Sequence, residues 1–227
     1  MTNAIKNLRA IAALLSEQRS DAMDYHVKAR GLLAAEARLR TYIDELEAQA
    51  GPSSAEPTEP FKTALEFVLE REGGFSDHPD DPGGATNLGV TQATYDAWRS
   101  GNGQRPRGVQ SITYEEAAAI YEQNYWGEPC ETLDWPLSLA LFDARVQHGY
   151  AIGLLQRAVN GLRGRWLETD NAWGPKTRLA AEVQDPVALS AELIRQRLVY
   201  YGALDGDTFD KGWLSRMRAL AYACGLR

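Results

Sequence analysis

Glu72-Gly73-Gly74-Phe75, followed closely by Asp80-Asp81-Pro82-Gly83-Gly84-Ala85-Thr86-Asn87, is the stretch on which the rest of the chain turns. Before it, Phe61, Ala64, Leu65, Val68 and Leu69 recur at helical spacing, which predicts a helix over Phe61–Arg71. Gly73 and Gly74 then stop it. Glu72 therefore lies at a helix C-terminus, on the rim of whatever that apolar face packs against. The negative end of the helix dipole and partial burial both favour a protonated carboxyl there. Gly83-Gly84 can take backbone angles closed to other residues, so the chain can fold back and bring Asp81 and Thr86 toward Glu72.

From the residues alone three readings stand side by side. A carboxyl kept protonated, with a second carboxylate and a hydroxyl nearby, suits cleavage of a glycosidic bond: one group gives a proton to the leaving oxygen and the other orients water or stabilises the positive sugar. The same residues also make a solvated helix cap followed by an ordinary turn, since Asp, Pro and Gly are the usual turn residues. An oxygen-ligand metal loop is the third, but the ligand alternation of an EF-hand is missing and no metal is expected.

Glu72-Gly73-Gly74-Phe75 and then Asp81-Pro82-Gly83-Gly84-Ala85-Thr86-Asn87-Leu88-Gly89-Val90-Thr91 resemble the opening of glycoside hydrolase family 108, a lysozyme-like family once labelled "secretion activator". Tyr121 through Tyr125-Trp126 and Leu141-Phe142-Asp143 match later motifs of that family. Leu155-Gln156-Arg157-Ala158 and Trp173-Gly174-Pro175-Lys176-Thr177 resemble its C-terminal peptidoglycan-binding segment. The resemblance covers about residues 60–225, in the expected order. It implies a peptidoglycan-cleaving enzyme with Glu72 as catalytic acid, Asp81 and Thr86 as its companions, and no cofactor. The spacing of Glu72 and Asp81 is also similar to that of phage-type lysozymes, but Thr86 follows one residue sooner than the corresponding Thr there. Near the end of the predicted fourth helix the family has Asn-Ser-Gly where this chain has Gln147-His148-Gly149, which makes Gln147 a substrate-contact candidate altered from the family pattern.

Bulk properties agree with a soluble enzyme. A chain of 227 residues accommodates one ordinary domain and an appendage. The net charge of −7 argues against nucleic acid as a partner and gives no long-range attraction to an anionic wall. Cys130 and Cys224 lie in separate segments without metal spacing and are read as two buried thiols, with a disulfide between them as the alternative. No apolar run reaches membrane-spanning length. Ile11–Leu15 is too short for the core of a signal peptide, so the expectation is synthesis in the cytoplasm and access to the wall by a holin-type lesion or on a particle.

Residues 1–50 hold no Pro and a single Gly, Gly31. From Leu8 to Ala50, steps of three and four fall on apolar residues except at Gln18 and Glu36, the period of a coiled coil. This predicts a stalk joining copies of the chain, or an anchor to a larger assembly; an amphipathic helix folded on its own enzyme domain is the alternative. Gly51–Pro60, with three prolines, is a semi-rigid linker.

The remainder reads as helix after helix. Thr91–Trp98 is short; Ser100–Gln110 is a Gly- and Arg-rich loop lining one side of a cleft. Thr113-x-x-Glu116 is a capping box opening a helix to about Asn124. Tyr125-Trp126 ends it, as sugar-stacking rings or as core. A helix from Pro136 to His148 carries Asp143, read as a buried structural carboxylate rather than a catalyst, and His148, read as a helix-end residue favoured by the dipole, with a second titrating group near the site as the alternative. Further helices span Ala151–Asn160, Gly174–Val183, Asp185–Tyr201 and Trp213–Ala223, with Gly161–Asn171 a polar turn and Asp205–Asp210 a turn. The expected fold is mainly α, a lysozyme-like helical domain with a small hairpin over Gly83–Thr91 and an N-terminal coiled coil. The expected divisions are 1–50 anchor, 51–62 linker, 63–149 catalytic region and 150–227 peptidoglycan-binding region. The expected activity is an N-acetylmuramidase of phage or prophage type acting between N-acetylmuramic acid and N-acetylglucosamine. Candidate substrate contacts are Tyr125, Trp126 and Gln147. A lytic transglycosylase and a non-catalytic wall-binding subunit are the alternatives.

Overall fold

The computed structural model describes residues 59–77, 84–164, 166–203 and 211–226. The expected coiled coil, the linker up to residue 58, Asp81 and the Asp205–Asp210 turn lie outside them. The described chain is mainly α-helical and forms two compact units, Glu59–Glu128 and a second whose described part begins at Pro129. The motif-based division at 149/150 is one of expected role and falls within the second unit.

The first unit opens with α1 (Pro60–Glu72), with Pro60 in its first turn, where the missing N–H costs nothing. Ala64, Leu65, Phe67 and Val68 are its buried face, and Gly73 ends it at φ +78°. Strands β1 (Thr86–Asn87) and β2 (Val90–Thr91) form an antiparallel hairpin with Thr86 opposite Thr91 and Asn87 opposite Val90. Leu88 and Gly89 connect them with φ of +50° and +70°, as a two-residue turn matched to the strand twist requires. Thr91 caps α2 (Gln92–Gly101), which runs three residues past the expected end at Trp98.

The Thr113–Glu116 capping box is present and opens α3 (Tyr114–Tyr121). The expected α-helix to Asn124 is not continuous: Glu122–Trp126 widens into a π-helical turn before Gly127 at φ +47°. Such widened turns accommodate side chains that regular α-geometry would misplace. Here they are Tyr125, packed on Tyr121, and Trp126, packed on Phe61. The short α4 (Gly127–Glu131) follows.

The second unit is built around α5 (Leu137–Gln147), α6 (Ala151–Arg163) and α8 (Pro186–Ala203), with α7 (Pro175–Glu182) on α6 and α9 (Lys211–Ala223) on α8. Every residue of α5 from Leu137 to Ala144 is buried, so this helix is wrapped on all sides rather than amphipathic. Asp143 lies among them, fully buried, as the sequence implied. The buried guanidiniums of Arg197 (2.6 Å) and Arg216 (2.8 Å) bind its two oxygens. Burial opposes its ionisation, but these two cations hold the carboxyl below the ordinary range.

Gly161, expected to start a turn, sits inside α6, which continues to Arg163. The reason lies across the helix interface: a Cβ on Gly161 would lie 2.4 Å from a carboxylate oxygen of Glu192 in α8. Glu192 is itself buried in a two-pronged pair with Arg195. Both thiols are buried and unpaired by any disulfide. Burial, the largest cause, pushes the Cys130 thiol up to about 12 and raises that of Cys224.

His148 is not the dipole-stabilised cation expected at the end of α5. Its ring packs against Tyr200 and Tyr201 at centroid distances of 5.2 and 5.0 Å. Burial first, then the positive charges of Arg197 and Arg216 against the opposing pull of Asp143, lowers its pKa to about 4. The folded chain thus keeps His148 neutral at pH values where an unfolded chain protonates it. Stability from this source is complete above the ordinary value of 6.5 and declines as pH falls through the window down to about 4. A thermal melt of His148→Gln is expected to show a smaller loss of Tm than wild type across that window. Asp143→Ala, which strands two buried arginines, is expected to cost about 3–5 kcal/mol in urea unfolding.

Candidate active site

Glu72 is the last residue of α1 and is half-buried. Gly73 turns the chain out of the helix, and four residues after Glu72 the backbone of Ser76 pairs with Thr86, each amide donating to the other's carbonyl at 2.8 Å. This bridge sets β1 beside the segment leaving Glu72; Thr86 lies in it, while Asp81 is outside the described residues. Gly84, just before β1, takes φ +69°. The Thr86 hydroxyl donates to the Gly84 carbonyl at 3.2 Å. Its proton is committed there, so toward a water molecule the oxygen acts as an acceptor.

The hairpin tip comes to rest on Glu72. A Cβ built on Gly89 would lie 2.2 Å from the Tyr121 hydroxyl and 2.9 and 3.0 Å from Cβ and Cγ of Glu72. No side chain fits, and the positive φ already disfavours one. Tyr121, 1% exposed at the end of α3, donates its hydroxyl to the Leu88 carbonyl at 3.1 Å. Three elements distant in sequence thus converge on one point. Gly89 and Tyr121 stood in the motifs, but their meeting on Glu72 had no signal in residue spacing.

The hairpin is also held from its other side. Asn87 donates to the carbonyls of Val109 (3.3 Å) and Gln110 (3.2 Å). Gln92 accepts from the Val109 amide (2.7 Å) and donates to the Arg107 carbonyl (3.0 Å). The Gly- and Arg-rich loop is therefore pinned to the hairpin despite its lack of periodicity. Below it Tyr95, Arg99 and Arg107 converge on Glu116. Burial opposes ionisation of Glu116, but the Tyr95 hydroxyl, the Thr113 amide and the two guanidiniums hold its carboxyl below the ordinary range.

The candidate aromatic pair separates. Trp126 is 5% exposed, tilted against Phe61 at 5.4 Å. Tyr125 is half-buried, 5.6 Å from the Tyr121 ring. Gln147 is a half-buried residue at the C-terminus of α5, in the second unit. There the last two sequence motifs meet through Gln156 on α6. Its side-chain amide donates to Asp170 (2.7 Å), the Ala172 carbonyl (3.1 Å) and the Thr177 hydroxyl (3.1 Å), and its oxygen accepts from the Asn171 amide (3.0 Å). The Ala172 amide and Gln156 together hold the Asp170 carboxyl below its ordinary value.

Residues 65–149 match the family model described as Glycosyl hydrolase 108. The solved structure of Brucella abortus SagA is 33% identical to this chain, covering 72% of it and 95% of the SagA chain, with a TM-score of 0.56. The chain belongs to the glycosyl hydrolase 108 family. No curated protein sequence matches it significantly. Glu72, the hairpin, Tyr121, Tyr125 and Gln147 fall inside the segment matched by the glycosyl hydrolase 108 model, whereas the Gln156 junction lies beyond it. The expected membership and the mainly helical fold are thus both observed.

Gly89→Ala is expected to cost about 2 kcal/mol or more in urea unfolding, from the positive φ and the overlap with Tyr121 and Glu72 together.

Proposed function

We propose that this chain is a peptidoglycan-degrading glycosidase, an N-acetylmuramidase of endolysin type that cuts the glycan strand between N-acetylmuramic acid and N-acetylglucosamine. The observation that carries the reading is a half-buried glutamate, Glu72, whose stem rests at a helix end against a hairpin tip inside the segment matched by a glycoside hydrolase family. Its carboxylic proton passes to the glycosidic oxygen as the bond from that oxygen to the anomeric carbon breaks. Asp81, which lies outside the described residues, stabilises the positive sugar or takes the proton of the attacking water. Thr86 orients that water through its oxygen. The water oxygen then bonds to the anomeric carbon as its proton passes to Asp81 or back to the Glu72 carboxylate, leaving a reducing end and a free hydroxyl.

Tyr125, the more exposed of the pair, would stack on a sugar, and Trp126 would support the wall behind it. Gln147 would be a further substrate contact, and residues 150–227, with the loop tied down by Gln156, would have the peptidoglycan-binding role. Residues 1–50 would join copies of the chain or attach it to a larger assembly. A holin-type lesion or carriage on a particle would bring the enzyme to the wall.

Digestion of purified peptidoglycan by wild type and Glu72→Gln, with products read by mass spectrometry, tests the reading. Reducing-end muropeptides are expected from wild type and a loss of at least a hundredfold from the variant, with the fold unchanged. Anhydro-muramic ends would instead indicate attack by the sugar's own 6-hydroxyl, and wild-type lysis by Glu72→Gln would remove Glu72 from the chemistry.

A further inference from the structure

Tyr121 is a fully enclosed polar side chain beside the hairpin tip that backs Glu72, and it has no part in the proposed reaction. It lies at the junction of α3 and the π-helical turn, 1% exposed. Its hydroxyl reaches across 33 residues of sequence to the carbonyl of Leu88 at 3.1 Å. Leu88 is a non-glycine residue held at φ +50°, a conformation that needs outside support. Beside it, Gly89 presses its backbone against Cβ and Cγ of Glu72 with no room for a methyl group. On its other side the Tyr121 ring contacts Tyr125 at 5.6 Å. A continuous line of contact therefore runs from Tyr125 through the Tyr121 ring and hydroxyl to the hairpin tip, and from there to the stem of Glu72.

We propose that Tyr121 is a positioning residue for Glu72, its hydroxyl fixing the hairpin tip that forms the wall on which the Glu72 side chain rests. The inference builds on the assignment of Glu72 as general acid. Tyr121 need not touch the sugar. Loss of the hydroxyl releases the Leu88 carbonyl and lets the tip withdraw, so that the Glu72 carboxyl samples positions from which proton transfer fails. Small displacements of this kind are costly in a reaction that depends on alignment. The ring itself remains in Tyr121→Phe, so Tyr125 keeps its support and substrate binding is retained.

The test uses the full chain and a soluble glycan-strand fragment, well below the melting midpoint of every variant, so that lost stability does not imitate lost turnover. Tyr121→Phe is expected to lower kcat roughly tenfold with KM within about twofold of wild type, and to shift the limb of the pH–rate profile that belongs to Glu72. Gly89→Ala, which keeps the Tyr121 side chain but crowds its hydroxyl and displaces the same tip, is expected to shift that limb too. Wild-type kcat and an unmoved limb in Tyr121→Phe would overturn the inference and leave Tyr121 a packing residue. Should Tyr121→Phe not fold, the limb in Gly89→Ala decides: unmoved, it overturns the inference. Glu72→Gln, run in parallel, separates the two levels. If it is inactive while Tyr121→Phe behaves as wild type, only the positioning role fails. If it turns over normally, the assignment of Glu72 fails and the positioning role falls with it.

Discussion

The close approach of a bare backbone at Gly89 to Glu72 and Tyr121 is the constraint from which the geometry of the first unit follows. Because no Cβ intervenes, the hairpin tip can seat directly on the stem of a carboxylate side chain. For that contact to hold, the hairpin must be fixed at both ends. Tyr121 grips the tip, while Asn87 and Gln92 tie the base to the loop that precedes α3. The loop in turn rests on the Glu116 cluster, where two cations and a phenol satisfy one carboxylate. A carboxylate at a helix end needs such backing to keep its place, since a fraying last turn would not hold it still.

The second unit solves a different problem. Its central helix, α5, is buried all round, so its one charged residue in the covered stretch must be neutralised locally. Two arginines from α8 and α9 do this at Asp143, which makes the docking of three helices depend on one carboxylate. The same environment keeps His148 neutral. Gln156 plays the corresponding part for the loop before α7, where one side-chain amide replaces the hydrogen bonds that a regular element would supply.

Much of this was legible beforehand. Helical periodicity in Phe61–Leu69, the Gly73-Gly74 stop, the Thr113–Glu116 capping box and the Gly174-Pro175 start are local signals, and each element lies where these signals place it. The misread places share a cause. Gly161 was read as the start of a polar turn, but it lies inside the helix, where a carboxylate from another helix claims the space a side chain would fill. The π-helical turn at Glu122–Trp126 answers to where two rings must pack, not to the propensity of the segment. His148 was read from the dipole of its own helix, whereas Tyr200, Tyr201, Arg197 and Arg216 from other helices govern its charge.

By itself the sequence determined the helical class of the chain, the order of its elements, the family resemblance and the position of Glu72 at a helix end. Those depend on neighbours within a turn or two, or on motifs read in line. Only the tertiary structure decided that Gly89 and Tyr121 close on Glu72, that Tyr125 and Trp126 part company, and that Asp143 is held by Arg197 and Arg216. The contacts at Glu72, at Asp143 and between Trp126 and Phe61 join residues well separated in sequence. Which pair meets is set by the packing of whole elements, and no local pattern carries that information.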